Sequence, residues 1–244
     1  MITSLSTFLL LSLCAQTTTV AEDSKGNLSG STNLGLTLIS GNSQSSNSVA
    51  NIDLSYLIDV HKFDFGIHYQ AVRDTNQLSD ISTTSSRLYR SDFQYNHYLS
   101  TYQKTYIWTN LATRQDEPTG LNSRNNLGAG MGYHLMFAND LDIFIEAGAS
   151  YVNEQKSTSS SEATVSRLAF DFKWPVSDDL SLISSSEFLS GDNIETYVQD
   201  FSLRYNLKNN WFLQLANNTA YDAFPADGSE TTDSRWNISL GTSF

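Results

Sequence analysis

Cysteine is almost absent: Cys14 is the only one among 244 residues. It sits in a segment expected to be removed, so disulfides, thiol nucleophiles and Cys-ligated metals are excluded from the mature chain. Proline occurs only three times. Outside the extreme N-terminus there is no run of about 18 apolar residues, which excludes a transmembrane helix. Basic residues are scarce, 14 Lys and Arg against 26 Asp and Glu, for a formal charge of −12. No basic stripe is available to release counterions, so no nucleic-acid partner is expected. No Gly-x-Ser-x-Gly tract is present either, which removes the usual nucleophile elbow.

Strict alternation of apolar and polar residues takes the place of these features. In the last segment Trp236, Ile238, Leu240, Thr242 and Phe244 share one face, with Asp233, Arg235, Asn237, Ser239, Gly241 and Ser243 on the other. Period-two patterning sends successive side chains to opposite faces of a strand. Lipid on one side and a wet lumen on the other call for that pattern. The mean hydropathy of −0.31 is compatible with a membrane barrel because the two faces average out. About twelve such segments occur. The clearest are near 62–73, with Phe63, Phe65, Ile67, Tyr69 and Ala71 in phase, and near 123–137, with Leu127, Ala129, Met131, Tyr133, Leu135 and Phe137 in phase. In the latter, Gly128, Gly130, Gly132 and His134 form the inner face. A glycine row weakens a strand but leaves room for large side chains opposite, which predicts that the barrel wall bends or the lumen is crowded there. Near 104–116 the phase is ambiguous, because Tyr106 and Trp108 compete with Ile107 and Leu111 for the outer face. The expected fold is all-β, a single antiparallel up-and-down transmembrane β-barrel of about 12 strands over 22–244.

Residues 1–21 read as a secretory leader, with an apolar core from Phe8 to Ala15 and cleavage near Ala21 or, less well placed, Ala15. No Lys or Arg precedes that core. Tight links such as Asp59–Lys62 and Lys208–Asn210 alternate with longer ones such as Asp74–Ser85 and Asp222–Thr232. Short turns belong to the periplasmic side, and an even strand count then leaves both termini in the periplasm. Lys25, Lys62, Lys104, Lys173 and Lys208 fall at that end, where they can snorkel to headgroups. Only Lys156 falls at the other, among acids that include Asp116, Glu154, Asp192, Asp222 and Asp227. Those acids are expected to form a diffuse, solvated rim. Tyr56, Tyr69, Tyr133, Tyr151, Trp174, Trp211 and Trp236 would form aromatic girdles.

Phasing assigns the candidate site to the lumen. The inward acids are Asp53, Asp64, Asp92, Glu146, Asp171, Glu187, Asp200 and Asp233. The inward bases are Arg90, Arg114, Arg167, Arg204 and Arg235, joined by His68 and His134. Arginine suits such a place because its fork pairs carboxylates bidentately and stays charged. The favoured reading is a self-satisfied Arg–carboxylate network that fills the lumen of a structural barrel. A narrow channel for small solutes is the alternative, and acids outnumber bases, which disfavours acidic sugars. An outer-membrane lipid hydrolase is the second alternative. Its only outward-phased histidine would be His97, and no enzyme activity is expected. No metal and no cofactor are expected. The expected partners are outer-membrane lipids, lipopolysaccharide and, during biogenesis, the barrel-assembly machinery reading Phe244. A monomer is expected.

Three stretches carry a resemblance. The run Leu34-Gly35-Leu36-Thr37-Leu38-Ile39-Ser40-Gly41-Asn42-Ser43, the segment from Tyr106 through Arg114, Asp116 and Gly120 to Gly128-Ala129-Gly130-Met131-Gly132-Tyr133, and the ending from Thr232-Asp233-Ser234 to Phe244 resemble a family of salt-induced outer-membrane proteins, a domain of unknown function. That resemblance implies a Gram-negative outer-membrane barrel tied to osmotic or salt stress. It brings no catalytic residue with it.

Overall fold

The computed structural model describes residues 26–39, 44–76, 81–100 and 104–244. The expected leader with Ala15 and Ala21, Lys25, and the turn Ser40–Ser43 lie outside the described residues. Twelve strands follow in order: β1 (Asn27–Ile39), β2 (Gln44–Ile58), β3 (His61–Asn76), β4 (Ile81–Tyr98), β5 (Thr105–Asp116), β6 (Leu121–Met136), β7 (Asp142–Lys156), β8 (Ser160–Pro175), β9 (Leu180–Gly191), β10 (Ile194–Asn206), β11 (Trp211–Asp222) and β12 (Thr232–Ser243). Each pairs antiparallel with its neighbours in chain order, and β1 pairs with β12 to close the ring. Closure removes the open edge that a sheet of this length would otherwise expose. The closing rungs run from Leu34↔Leu240 to Ser31↔Ser243. Gly30 and Phe244 then exchange backbone hydrogen bonds of 2.9 and 3.0 Å. A Cβ on Gly30 would lie 2.7 Å from Cζ of the Phe244 ring, so the terminal aromatic is built into the seam.

The alternation sorts as the pattern demands. Phe63, Phe65 and Tyr69 on β3, Leu127, Met131 and Tyr133 on β6, and Trp236, Ile238 and Leu240 on β12 all point outward, with Trp236 60% exposed. The seven expected girdle aromatics are all exposed. In β5 the ambiguity resolves in favour of the second pair: Ile107 and Leu111 are exposed, while Tyr106 and Trp108 are 1% exposed inside the barrel. The register shift in the β5–β6 pair lies at the far end, between Arg114 and Asp116. Trp108 and Tyr106 face Gly130 and Gly132 across their rungs. A Cβ on Gly130 or on Gly148 would come within 2.6 Å of Trp108 Cζ2. The glycine row is therefore a seat for the indole. Gly130→Val is expected to destabilise the barrel by about 1–3 kcal/mol through overpacking, read as a lower temperature for loss of its compact migration in gels.

Three expectations about the barrel ends fail. Strands run past the alternating segments, β3 to Asn76, β4 from Ile81, and β7 and β8 to Lys156 and from Ser160. Backbone pairing continues after the lipid-facing pattern stops, because ladder hydrogen bonds do not need an apolar face. The link at Asp192–Asn193 is as tight as that at Asp59–Val60, so the alternation of tight and long links fails there. Asp59, Asp140, Asn193, Asn209 and Asn210 take positive φ in these turns, the conformation their short polar side chains tolerate. The lysines at the terminus-bearing end also do not all snorkel. Lys62 reaches Asp64 at 2.9 Å and lies over the lumen-facing Phe144 ring.

Candidate functional site

The lumen is filled at three levels. Nearest the termini, Tyr106 and Trp108 pack with Tyr98, and Leu57, Val60 and Phe144 close around them. The guanidinium of Arg167 lies over Trp108, 4.4 Å from the ring centre. It donates to Glu146 and Glu187, both at 2.7 Å. Glu146 also accepts from the Tyr106 hydroxyl at 2.9 Å and from Gln94 at 2.7 Å. One buried carboxylate thus gathers side chains from β4, β5 and β8. Removing water from these charges carries a large desolvation cost, offset here by near-complete pairing. His134 pairs with Asp142 at 3.0 Å and stacks on Phe144. Asp64 accepts from Ser55 at 2.7 Å.

The middle level bridges the barrel from wall to wall. Arg90 on β4 reaches Asp200 on β10 at 3.0 Å, and these strands stand six apart either way round the ring. Arg90 also holds Asp92 at 3.3 Å, and Asn218 donates to Asp200 at 2.6 Å. His68 lies 3.3 Å from Asp53. Arg204 donates to Gln214 and stacks on Phe212. Asp171 faces Ser185 across the β8–β9 rung and makes no ion pair among the described residues. A cavity of about 410 Å³ lies at this level.

At the end opposite the termini, Asp116 is 0% exposed and accepts from Arg114 at 2.7 Å and from Arg235 at 2.8 Å. Arg235 comes from β12, across the lumen from β5. Asp233 lies 3.8 Å from Arg235. Beside them Lys156 pairs with Glu154 and Asp222, each at 2.9 Å, and Arg124 pairs with Glu154. The link 223–231 folds over this cluster, with Lys156 donating to the Phe224 carbonyl and Ala226 buried. Gly120, at φ 70°, leaves the space Ala226 occupies. The expected solvated rim is corrected here: Asp116, Glu154 and Asp222 are drawn into buried pairs, because basic partners from distant strands converge on them.

The residues assigned inward by phase all line the lumen side, although they divide among three levels. Sequence reasoning missed Tyr106, Trp108, Phe212, Arg124 and Lys156 as lumen groups. The lumen also holds an apolar knot of Val152, Val165, Leu189 and Ile194, where the polar-in expectation fails. On the outer face, His97 contacts His61, which hydrogen-bonds the Tyr95 hydroxyl at 2.7 Å. His61 is thus a second outward histidine, and no serine bonds either ring among the described residues.

The model of a family described as "Protein of unknown function, DUF481" matches residues 32–244. No curated protein matches the chain. Among solved structures it is similar to an outer-membrane channel from Pseudomonas putida F1, at 12% identity over 92% of this chain and 97% of that one, with a TM-score of 0.49. It is similar to the NanC porin at 10% identity over 89% and 99% of the two chains, TM-score 0.49. It is also similar to the translocator domain of the autotransporter NalP from Neisseria meningitidis, at 12% identity over 91% and 89%, TM-score 0.42.

Proposed function

This chain belongs to the DUF481 family of proteins of unknown function, and we propose that it is an integral outer-membrane barrel with an occluded lumen, serving the envelope as a structural element. The belt of exposed Leu, Ile, Phe and Tyr around a closed sheet with a polar interior supports a lipid surround. Barrels of eight strands fill their interiors and those of sixteen leave a channel, so at twelve the lumen contents decide. The observation that carries the reading is the Arg90–Asp200 pair spanning the full width, between two further sets of buried pairs. The pair's own side chains keep 33% and 44% exposure, so closure rests on the buried pairs that flank it on either side. The start of β1 and the end of β12 share one end, which this reading places in the periplasm, with β12 and its Phe244 offered to the assembly machinery. Outer-membrane lipid and lipopolysaccharide are its neighbours, and the resemblance to salt-induced proteins suggests when the cell needs it. The hydrolase alternative draws no support from His97, whose neighbours are His61 and Tyr95.

Purified barrel in a planar bilayer is expected to give no conductance steps at any voltage. Reproducible steps from the unmodified protein would overturn occlusion and favour the narrow channel.

A further inference from the structure

Two opposite charges face the central cavity without meeting. Most charged groups on its wall have partners: Arg90 has Asp92 and Asp200, and Arg114 has Asp116. Arg204 makes no ion pair among the described residues. Its Nε and Nη2 both donate to Gln214 Oε1, at 3.2 and 3.0 Å, and its plane lies 4.0 Å over the buried Phe212 ring. Gly241 provides the room for that ring. The stack and the amide fix the guanidinium and leave its Nη1–Nη2 edge for a bidentate acceptor. Asp53 is the counterpart. Its one ion-pair partner among the described residues is His68, and its side chain keeps 46% exposure inside the barrel. Asn218 Oδ1 and Asn237 Oδ1, also on this wall, are buried acceptors with no partner among the described residues.

The chemistry of an occupant follows from this pairing. An anion alone would meet Asp53 and Asp200, and a cation alone would meet Arg204 and Arg90. A neutral sugar would leave Arg204 with no carboxylate in contact and Asp53 with His68 alone, and part-buried charge without a contacting partner is costly. Orphaned carbonyl acceptors favour a ligand that brings N–H donors. We infer that the central cavity binds a small zwitterion of the amino-acid class, its carboxylate on the open edge of Arg204 and its ammonium on Asp53. This inference rests on the occluded-barrel reading, since an open pore would hydrate both charges.

The test is calorimetric titration of the detergent-folded barrel with ω-amino acids from glycine to 6-aminohexanoate, beside alkyl carboxylates and alkylamines of matched length. At least one chain length is expected to bind, with the matched carboxylate and amine weaker by about tenfold or more. Arg204→Met and Asp53→Asn should each weaken it by a similar factor while keeping compact gel migration, and Arg87→Met, at an exposed residue that pairs with Glu117 and does not line the cavity, should not. Absence of binding across the series, equal binding of a plain carboxylate or amine, or indifference to both cavity variants would overturn the inference. Bilayer conductance without titration heat would count against occlusion; silence in the bilayer without heat would sink the zwitterion site alone.

Discussion

Asp116→Ala is expected to lower barrel stability by about 3–5 kcal/mol, the loss typical when one partner of a buried ion pair is removed. Urea-induced unfolding in lipid vesicles would measure it. The carboxylate has no exposed surface and joins Arg114 on β5 to Arg235 on β12. Without it two guanidiniums face each other in a space that water enters poorly, and the charge left behind does the damage. Asp116→Asn keeps one acceptor and loses the charge, so a smaller loss is expected. Asp227→Ala, in the exposed part of the 223–231 link, should change stability by no more than about 0.5 kcal/mol. If Asp116→Ala were as mild as Asp227→Ala, the cluster would be a hydrated rim after all.

The contrast between these two aspartates shows where sequence reading stops. Both stand in polar stretches near strand ends, and both look like loop acids. What separates them is the arrival of Arg235, 119 residues away. Cross-barrel neighbours follow from ring closure and strand tilt, neither of which local patterning encodes. Glu154 and Asp222 were misread for the same reason, since Lys156 and Arg124 join them only once the mouth closes.

The wall itself was legible because lipid imposes a two-residue period that nothing else in the chain erases. Phe63, Phe65 and Tyr69, or Trp236, Ile238 and Leu240, could be assigned outward without structure. The period fades where lipid ends, which is why β3, β4, β7 and β8 extend further than their apolar residues suggest. It also fails where two apolar residues are adjacent. Tyr106-Ile107-Trp108 and Trp211-Phe212-Leu213 each offer both phases, and the inward members, Tyr106, Trp108 and Phe212, are the ones that fill the lumen. A usable signal did exist: the inward glycines Gly128, Gly130 and Gly132 required something large opposite. Only the β5–β6 register identifies that partner as Trp108 and Tyr106.

That pair, with Arg167, is also the terminus-side barrier to the central cavity, and its removal should be visible from inside. Ser185 lines the cavity and the chain's one cysteine is Cys14, so Ser185→Cys in a Cys14→Ser background places a single thiol within. In a closed barrel a small charged thiol reagent reaches it only through rare local opening. An opening free energy of about 3 kcal/mol holds the accessible population near one in a hundred. Adding Trp108→Ala and Arg167→Ala removes the indole, the cation over it and the charge that neutralises Glu146 and Glu187. Glu146 and Glu187 would then draw water into the gap, and labelling should accelerate by roughly 100-fold. The Arg90–Asp200 bridge stays in place at the thiol's own level, and the Asp116 cluster stays in place beyond it. The same variant should therefore take up reagent from the terminus side while remaining silent in a bilayer. Fast labelling in the unmodified lumen would mean that water already passes Trp108, and the occluded reading would fail at its first barrier.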